Sequence, residues 1–324
     1  MEKPEKIQKR IKSISDTQKI TRAMKMIASS KIKKAQSRIM EARDFIYGIE
    51  NIISDIACFS GFISNPLLKS PGNDKNILIV GITSDKGLCG DYNSNIIRHI
   101  ENAVNKLIGI GKKVKLIIIG KRGKNYFKYI GYDLDMVYEN LSDYPKFLDA
   151  REISKHIISR YVEGNADRVL LCYTEFINPA ENTPVIMQLL PISNYSKTVF
   201  RDVGKLINSI IDIPSDSPHG GTENTVSGLI EGKVCRIFPE FVYDPSLSEI
   251  LDAILPEYID STVYGALLDS TASETGARIT AMRSASDNAA EIIKELINMY
   301  HKARQQEITL EIAEVVSGAG IFSS

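Results

Sequence analysis

The chain has 324 residues, of which 43% are hydrophobic and 25% charged, and its 40 basic and 40 acidic side chains leave no formal net charge. That is long enough for a substantial core and two domains, and ordinary for a soluble protein rather than a disordered or disulfide-stapled one. No apolar run reaches the roughly 18–20 residues of a membrane span and the N-terminus has no signal-peptide core. The four cysteines (Cys58, Cys89, Cys172, Cys235) are scattered without a metal-binding pair, so reduced thiols in a cytosolic protein are expected.

The first element is a long helix. Apolar residues step in fours and threes through Ile7, Ile11, Ile14, Ala28, Ile32, Ala35, Ile39, Ala42, Ile46, Ile49, Ile53 and Ile56. That 3.5-residue period marks a left-handed coiled-coil seam, and no Pro or Gly interrupts residues 5–47. Such a helix would be a rod on the order of 75–80 Å long, which needs a partner. Between Ile14 and Ala28 the seam positions are the polar Gln18, Thr21 and Lys25, while Ile20, Met24 and Ile27 fall on another face. Either the stripe rotates there, the rod meets a second partner, or the coiled coil is locally irregular. Residues 1–48 carry 13 basic against 5 acidic side chains, a net charge of +8. With no interleaved aromatics and no nucleic-acid module, an acidic protein partner fits this face better than nucleic acid or a membrane.

Asn65-Pro66 and Ser70-Pro71-Gly72 end that pattern. The continuous apolar run of residues 76–83 predicts a strand buried on both faces, and a glycine-containing loop, 84–95, leads into a helix reaching about Lys106. Strands are expected over 114–119, 134–138, 168–176 and 185–191, with helices over 121–130 and 150–161. This alternation predicts an α/β domain of Rossmann-like form around a largely parallel sheet, over residues 74–212. Gly87 and Gly90 stand where a phosphate loop would be, but neither Gly-x-Gly-x-x-Gly nor a Lys-Ser/Thr follows, and Asp91 or Asn93 would cap the next helix as plain turn chemistry. The four histidines are isolated, and no catalytic or metal-binding constellation is apparent, so no cofactor is expected.

Residues 213–232 are rich in Pro, Gly, Ser and Thr and read as an exposed linker within a connecting segment, 213–243. Residues 244–270 hold six acidic side chains (Asp244, Glu249, Asp252, Glu257, Asp260, Asp269) and no basic one. Ser246 with Glu249 fits a capping box, and Pro256 should kink or restart the helix that follows. The seam then returns through Met282, Ala285, Ala289, Ile292, Leu296, Met299, Ala303, Leu310 and Ala313, with Gln306 the polar position. Two long helices at the ends of one chain, residues 1–60 and 244–324, most simply pair antiparallel. The nearly uncharged tip, 312–322, is expected to sit inside a partner.

Residues 7–36 closely resemble the N-terminal helix of the gamma subunit of F-type ATP synthases. Residues 83–95 (Thr-Ser-Asp-Lys-Gly-Leu-Cys-Gly-Asp-Tyr-Asn-Ser-Asn) resemble that family's central loop, and residues 273–289, 303–312 and 315–319 its C-terminal signature. The linker at 213–232 and Gly276-Ala277 depart from the family pattern. The resemblance implies a fold of a long antiparallel coiled coil with a central α/β domain. It implies a rotor shaft without catalytic residues of its own, coupling ion flow through a membrane c-ring to ATP chemistry at the beta subunits. The implied partners are alpha, beta and epsilon subunits and the c-ring, with no nucleic acid and no direct membrane insertion, on the cytoplasmic side of a bacterial inner membrane. Arg22, Lys25, Lys31, Lys33 and Lys34 would face acidic levers of the beta subunits. Met24, Lys25, Lys86 and Cys89, with Arg278, Thr280 and Arg283, match the family's lower contact zone. The contrasting readings are a nucleotide-binding α/β enzyme with a coiled-coil arm, discriminated by saturable ADP or NAD binding, and a basic coiled-coil adaptor, discriminated by salt-dependent binding to duplex DNA.

Overall fold

The computed structural model describes residues 3–59, 65–68, 74–192, 199–205 and 247–321. The elements are α1 (Pro4–Phe59), β1 (Asn76–Ile82), α2 (Tyr92–Gly109), β2 (Lys113–Ile119), α3 (Lys121–Ile130), β3 (Leu134–Tyr138), α4 (Phe147–Val162), β4 (Arg168–Asn178), β5 (Glu181–Leu190), β6 (Val199–Phe200) and α5 (Leu247–Ile321). They form two compact units, one of Met1–Lys31 with Arg278–Ser324 and one of Ile32–Ala277. The linker and the Ser246 capping box fall outside the described residues. So do the side chains of Cys58 and Cys235, whereas Cys89 and Cys172 are buried and not joined in a disulfide.

In the larger unit the strands lie in the order β3-β2-β1-β4-β5-β6. The first four are parallel, with β1 in register against β2 from Asn76↔Lys113 to Ile82↔Ile119. The sheet is mixed, because β5 runs antiparallel to β4, and β6 antiparallel to β5. The cause is local: β4 and β5 are longer than their apolar cores and meet at Pro179-Ala180, a connection too short to join parallel strands. Asn178 Oδ1 closes that turn by accepting the N–H groups of Ala180 at 2.9 Å and Glu181 at 2.8 Å.

Alternation along the strands divides the core into two layers. Ile77, Ile79, Leu116, Ile118, Leu170 and Cys172 face α2 and Phe127 of α3. On the opposite face, Leu78, Val80, Ile117, Val169, Leu171 and Met187 meet α4, α1 through Ile46, Ile49 and Ile53, and α5 through Leu251, Leu255, Ile259, Val263 and Leu267. The helical stripes of α1 and α5 thus complete one face of the sheet. The α5 helix continues through Pro256, so that residue does not restart it.

In the smaller unit α1 and α5 pack antiparallel. Ile7 meets Leu296 and Ala303, flanked by Ile11, Ile14 and Tyr300. Gln18 Nε2 donates to the Ser286 carbonyl at 3.3 Å. The α5 stripe differs from the predicted one. It runs through Met282, Ser286, Ala289, Ile293, Leu296, Tyr300 and Ala303, leaving Ile292 and Met299 exposed. A single position on a helix turns a side chain by about 100°, enough to take Ile292 and Met299 off the contact. Leu310 and Ala313 are also exposed, lying beyond Ala303, the last buried residue of the stripe.

Candidate partner-contact site

In the smaller unit the polar interval of α1 stays on the seam. Thr21 is buried, its hydroxyl donating to the Gln18 carbonyl at 3.0 Å, and the stripe does not rotate. The apolar residues beside it point outward instead, with Ile20 and Ile27 each 60% exposed and Met26 exposed as well. Arg22 and Lys31 are exposed, while Met24 and Lys25 are half-buried. Since Gln18 lies opposite Ser286, moving seven residues along α1 to Lys25 moves seven back along α5 to Ile279. The register therefore brings Met24 and Lys25 level with Arg278 and Thr280. Arg278 is half-buried, Thr280 and Arg283 are exposed, and Arg283 is 4.0 Å from Asp287 one turn on, a solvent-screened pair of little energetic consequence. Outward apolar residues among cations make a surface suited to a partner that is partly apolar and partly acidic.

In the larger unit Lys33 and Lys34 are exposed on α1. The loop between β1 and α2 is closed by its own side chains. Ser84 N–H donates to Asn93 Oδ1 at 3.1 Å, Ser84 Oγ to the Lys86 carbonyl at 2.6 Å, and Asn93 Nδ2 to Ser84 Oγ at 2.7 Å and Cys89 Sγ at 3.1 Å. Asn93 is thus spent on the loop rather than on the helix. Asp91 stands at the N-cap without capping it and accepts Asn95 Nδ2 at 3.1 Å. Asp85 fastens the loop to its neighbours, accepting Lys121 N–H and Ser142 N–H at 3.1 Å each. Burial alone would raise the Asp85 pKa, but the hydrogen bonds from Asn140, Ser142 and Lys121 prevail and hold it below the ordinary value of 3.8.

Lys86 is exposed and ion-paired with Asp143. Cys89 is buried against Tyr92 and Ala277, so it shapes the loop from beneath. The residue the loop does present is Leu88, 64% exposed and held at φ +61°, a left-handed conformation uncommon for a leucine. Sequence reasoning passed over Leu88, although it is the one large apolar side chain in an otherwise polar and glycine-rich turn.

An open α/β sheet takes ligands outside the C-terminal ends of its strands, where the strand order reverses direction. Here that crevice lies between β1 and β4, and α5 fills it. Tyr92, at the start of α2, is fully enclosed by Cys89 and Ala277, with the Ser270 hydroxyl within bonding reach of its phenol. Burial, then the neighbouring Glu274 carboxylate, pushes that phenol's pKa upward. Ser273 Oγ donates to the Thr174 carbonyl at 3.2 Å. Among the described residues no cluster of three or more His, Cys, Asp or Glu is placed to hold a metal ion.

A family model described as ATP synthase matches residues 3–320. An ATP synthase gamma chain of Heliobacterium modesticaldum is 38% identical over 314 residues, covering 97% of this chain and 97% of its own. One from Halothermothrix orenii is 37% identical over 320 residues, covering 98% and 99% respectively. In the central stalk and c-ring structure of the Tetrahymena thermophila mitochondrial ATP synthase, a chain superposes with a TM-score of 0.54 at 26% identity, covering 82% of this chain and 99% of that one. A chain of the Euglena gracilis mitochondrial ATP synthase, in a structure of its OSCP, F1 and c-ring, superposes with a TM-score of 0.67 at 17% identity, covering 98% and 94% and showing likeness of fold alone.

Proposed function

The chain belongs to the family of ATP synthase gamma chains, and from that premise we infer that it is the central rotor shaft of an F-type ATP synthase. It is a coupling subunit without catalytic residues, linking rotation of a c-ring to ATP synthesis and hydrolysis at alpha and beta subunits. The observation that carries this reading is a family match running through both terminal helices and the α/β unit together, over residues 3–320.

The chemistry agrees with a shaft. The crevice that would hold a nucleotide in an enzyme of this fold is filled by α5, which argues against a nucleotide-binding enzyme with a coiled-coil arm. The N-terminal helix offers exposed cations at Arg22, Lys31, Lys33 and Lys34, with the half-buried Lys25 among them. Charges act across several ångströms without interlocking, so they can guide a surface that keeps moving past acidic partners on the beta subunits. A shaft with different side chains at each angle favours a different conformation of each beta subunit in turn, which changes its nucleotide affinity through differential contact. Met24, Lys25, Arg278, Thr280 and Arg283 in one unit, and Lys86 in the other, belong to the contact zone in this reading. Cys89 supports it from below. The epsilon subunit and the c-ring are the partners of the α/β unit. The chain works peripherally on the cytoplasmic side of a bacterial inner membrane; no described helix is long and apolar enough to cross one.

The test is purification from the native membrane through a tag inserted at residues 213–232, followed by subunit mass analysis and ATPase assay. Recovery with alpha, beta and epsilon subunits is expected, as is loss of coupled turnover when residues 285–324 are deleted. A solitary chain that binds ADP or NAD saturably would overturn the reading.

A further inference from the structure

The last stretch of α5 before it leaves the larger unit at Ala277 differs in kind from the stretch before it. Through Leu251, Leu255, Ile259, Val263 and Leu267 the helix meets the sheet by apolar packing, while its polar partners there, Asn65 for Asp252, Glu50 for Tyr258 and Arg151 for Asp260, lie off the strands. Non-directional contact of that sort resists separation, but it only weakly fixes how far a helix is turned about its own axis. From Ser270 to Gly276 the contacts become polar and directional. Ser270 Oγ accepts the Thr174 N–H at 3.5 Å, and Ser273 Oγ donates back to the Thr174 carbonyl at 3.2 Å. One residue of β4 is thus clasped by two successive turns of α5. At Gly276 an added Cβ would lie 2.9 Å from the Pro179 carbonyl oxygen and 3.1 Å from its Cα. The helix backbone therefore rests directly on the β4–β5 turn, with no room for any other residue. On the same face of the helix, one turn on from Ser273, the enclosed Tyr92 ring packs on Ala277.

We propose that Thr174, Pro179, Tyr92 and the Ser270–Gly276 face of α5 form a torsional latch, which fixes the rotational setting of α5 on the α/β unit and stops it slipping under load. The proposal rests on the rotor reading and adds the residues through which torque enters the helix. The fold's ligand crevice has in this account become the grip for the shaft. Packing between hydrocarbon surfaces can shear from one arrangement to the next, whereas the clasp on Thr174 must break two hydrogen bonds before α5 turns.

The test compares Gly276→Ala, Ser273→Ala and Tyr92→Phe in the assembled complex, in inverted membrane vesicles, with Ile157→Val in the α4 core as a control for plain loss of stability. ATP hydrolysis and ATP-driven ion pumping are measured together while the opposing ion gradient is raised. In the latch variants, pumping per ATP falls about fivefold at high gradient, the factor expected for one lost hydrogen bond, while hydrolysis continues. Ile157→Val keeps the wild-type ratio at every gradient. If Gly276→Ala fails to assemble, the isosteric Tyr92→Phe carries the comparison. A wild-type ratio in all assembled latch variants would overturn the latch, as would proportional loss of both rates matched by the control. Failure of the rotor reading is distinct: coupling would then survive deletion of residues 285–324.

Discussion

Arg43 on α1 donates to the Asp269 carboxylate on α5 at 3.0 Å, and the same guanidinium reaches the Phe176 carbonyl of β4 at 3.4 Å. One side chain thus ties together two helices distant in sequence and the strand they cover. The Asp269 side chain is only 12% exposed, so its end of the pair is largely shielded from water. Arg43→Ala is expected to destabilise the chain by about 1–2 kcal/mol, less than a fully buried pair would lose because Arg43 itself is half open to water. Thermal unfolding should register a fall in Tm of about 2–4 °C per kcal/mol. In the double variant Arg43→Ala with Asp269→Asn, the loss should be smaller than the sum of the two single losses, since both changes remove the same contact. Additive losses would show that the pair is not coupled.

How far such features are legible in sequence depends on their range. The α1 stripe, the buried strands and the α3 boundaries were readable because each is a local periodicity expressed in the residues themselves. The β4–β5 hairpin was not, because polar Glu175, Asn178 and Glu181 extend the strands past their apolar cores and hide the short turn. Ile292 and Ile293 are equally apolar, so only the partner helix decides which of them faces the seam. Cys89 looked like a contact residue because it sits in a distinctive motif, yet its burial beneath α5 comes from Ala277, nearly two hundred positions away. No local signal marks Tyr92, Ser270 or Ser273 as neighbours.

Gly120 is expected to tolerate no side chain. Its φ is +101°, and an added Cβ would stand 2.3 Å from the Thr83 carbonyl oxygen. Thr83 cannot withdraw easily, because its hydroxyl donates to the Ile119 carbonyl at 2.9 Å and accepts the Gly123 N–H at 3.0 Å. Gly120→Ala should cost about 2–4 kcal/mol, seen as a lower urea midpoint with an unchanged denaturant slope. An unaltered midpoint would mean that the β2–α3 connection can relax.

Asp85 sets an acid limit on the loop before α2. Its pKa is lowered in the folded chain, so the unfolded chain binds its proton first as pH falls. The stabilisation is therefore complete above the ordinary value of 3.8 and is lost as pH drops from there through the lower folded value. Asp85→Asn should weaken the chain at neutral pH and flatten its stability profile below pH 3.8, as measured by urea unfolding at a series of pH values. Parallel profiles for the two proteins would remove Asp85 as the cause.

Ile20 and Ile27 should matter to partners and not to the chain itself. Both project away from the α1–α5 seam, and exposed positions on a helix usually change stability by no more than about 0.5 kcal/mol. Ile20→Ser with Ile27→Ser is expected to leave the thermal unfolding of the purified chain almost unchanged. In the assembled complex the same pair should weaken retention of the chain during purification or slow turnover. Wild-type behaviour in both settings would assign these residues no contact.

Lys31, Lys33 and Lys34 give the charge-guided contact its most direct test. Glutamine at all three positions keeps the helix, because Gln and Lys have similar helical propensity, and removes only the charge. At low ionic strength the screening length is about 30 Å at 0.01 M, so cations on α1 act on acidic groups well beyond contact distance. The triple variant should then turn over more slowly, or couple less tightly, than the wild type. At 1 M salt the screening length shrinks to about 3 Å, both proteins lose the same attraction, and the difference between them should close. A defect that persisted unchanged at high salt would point to packing rather than charge. Equal turnover at every ionic strength would exclude these three lysines from the drive.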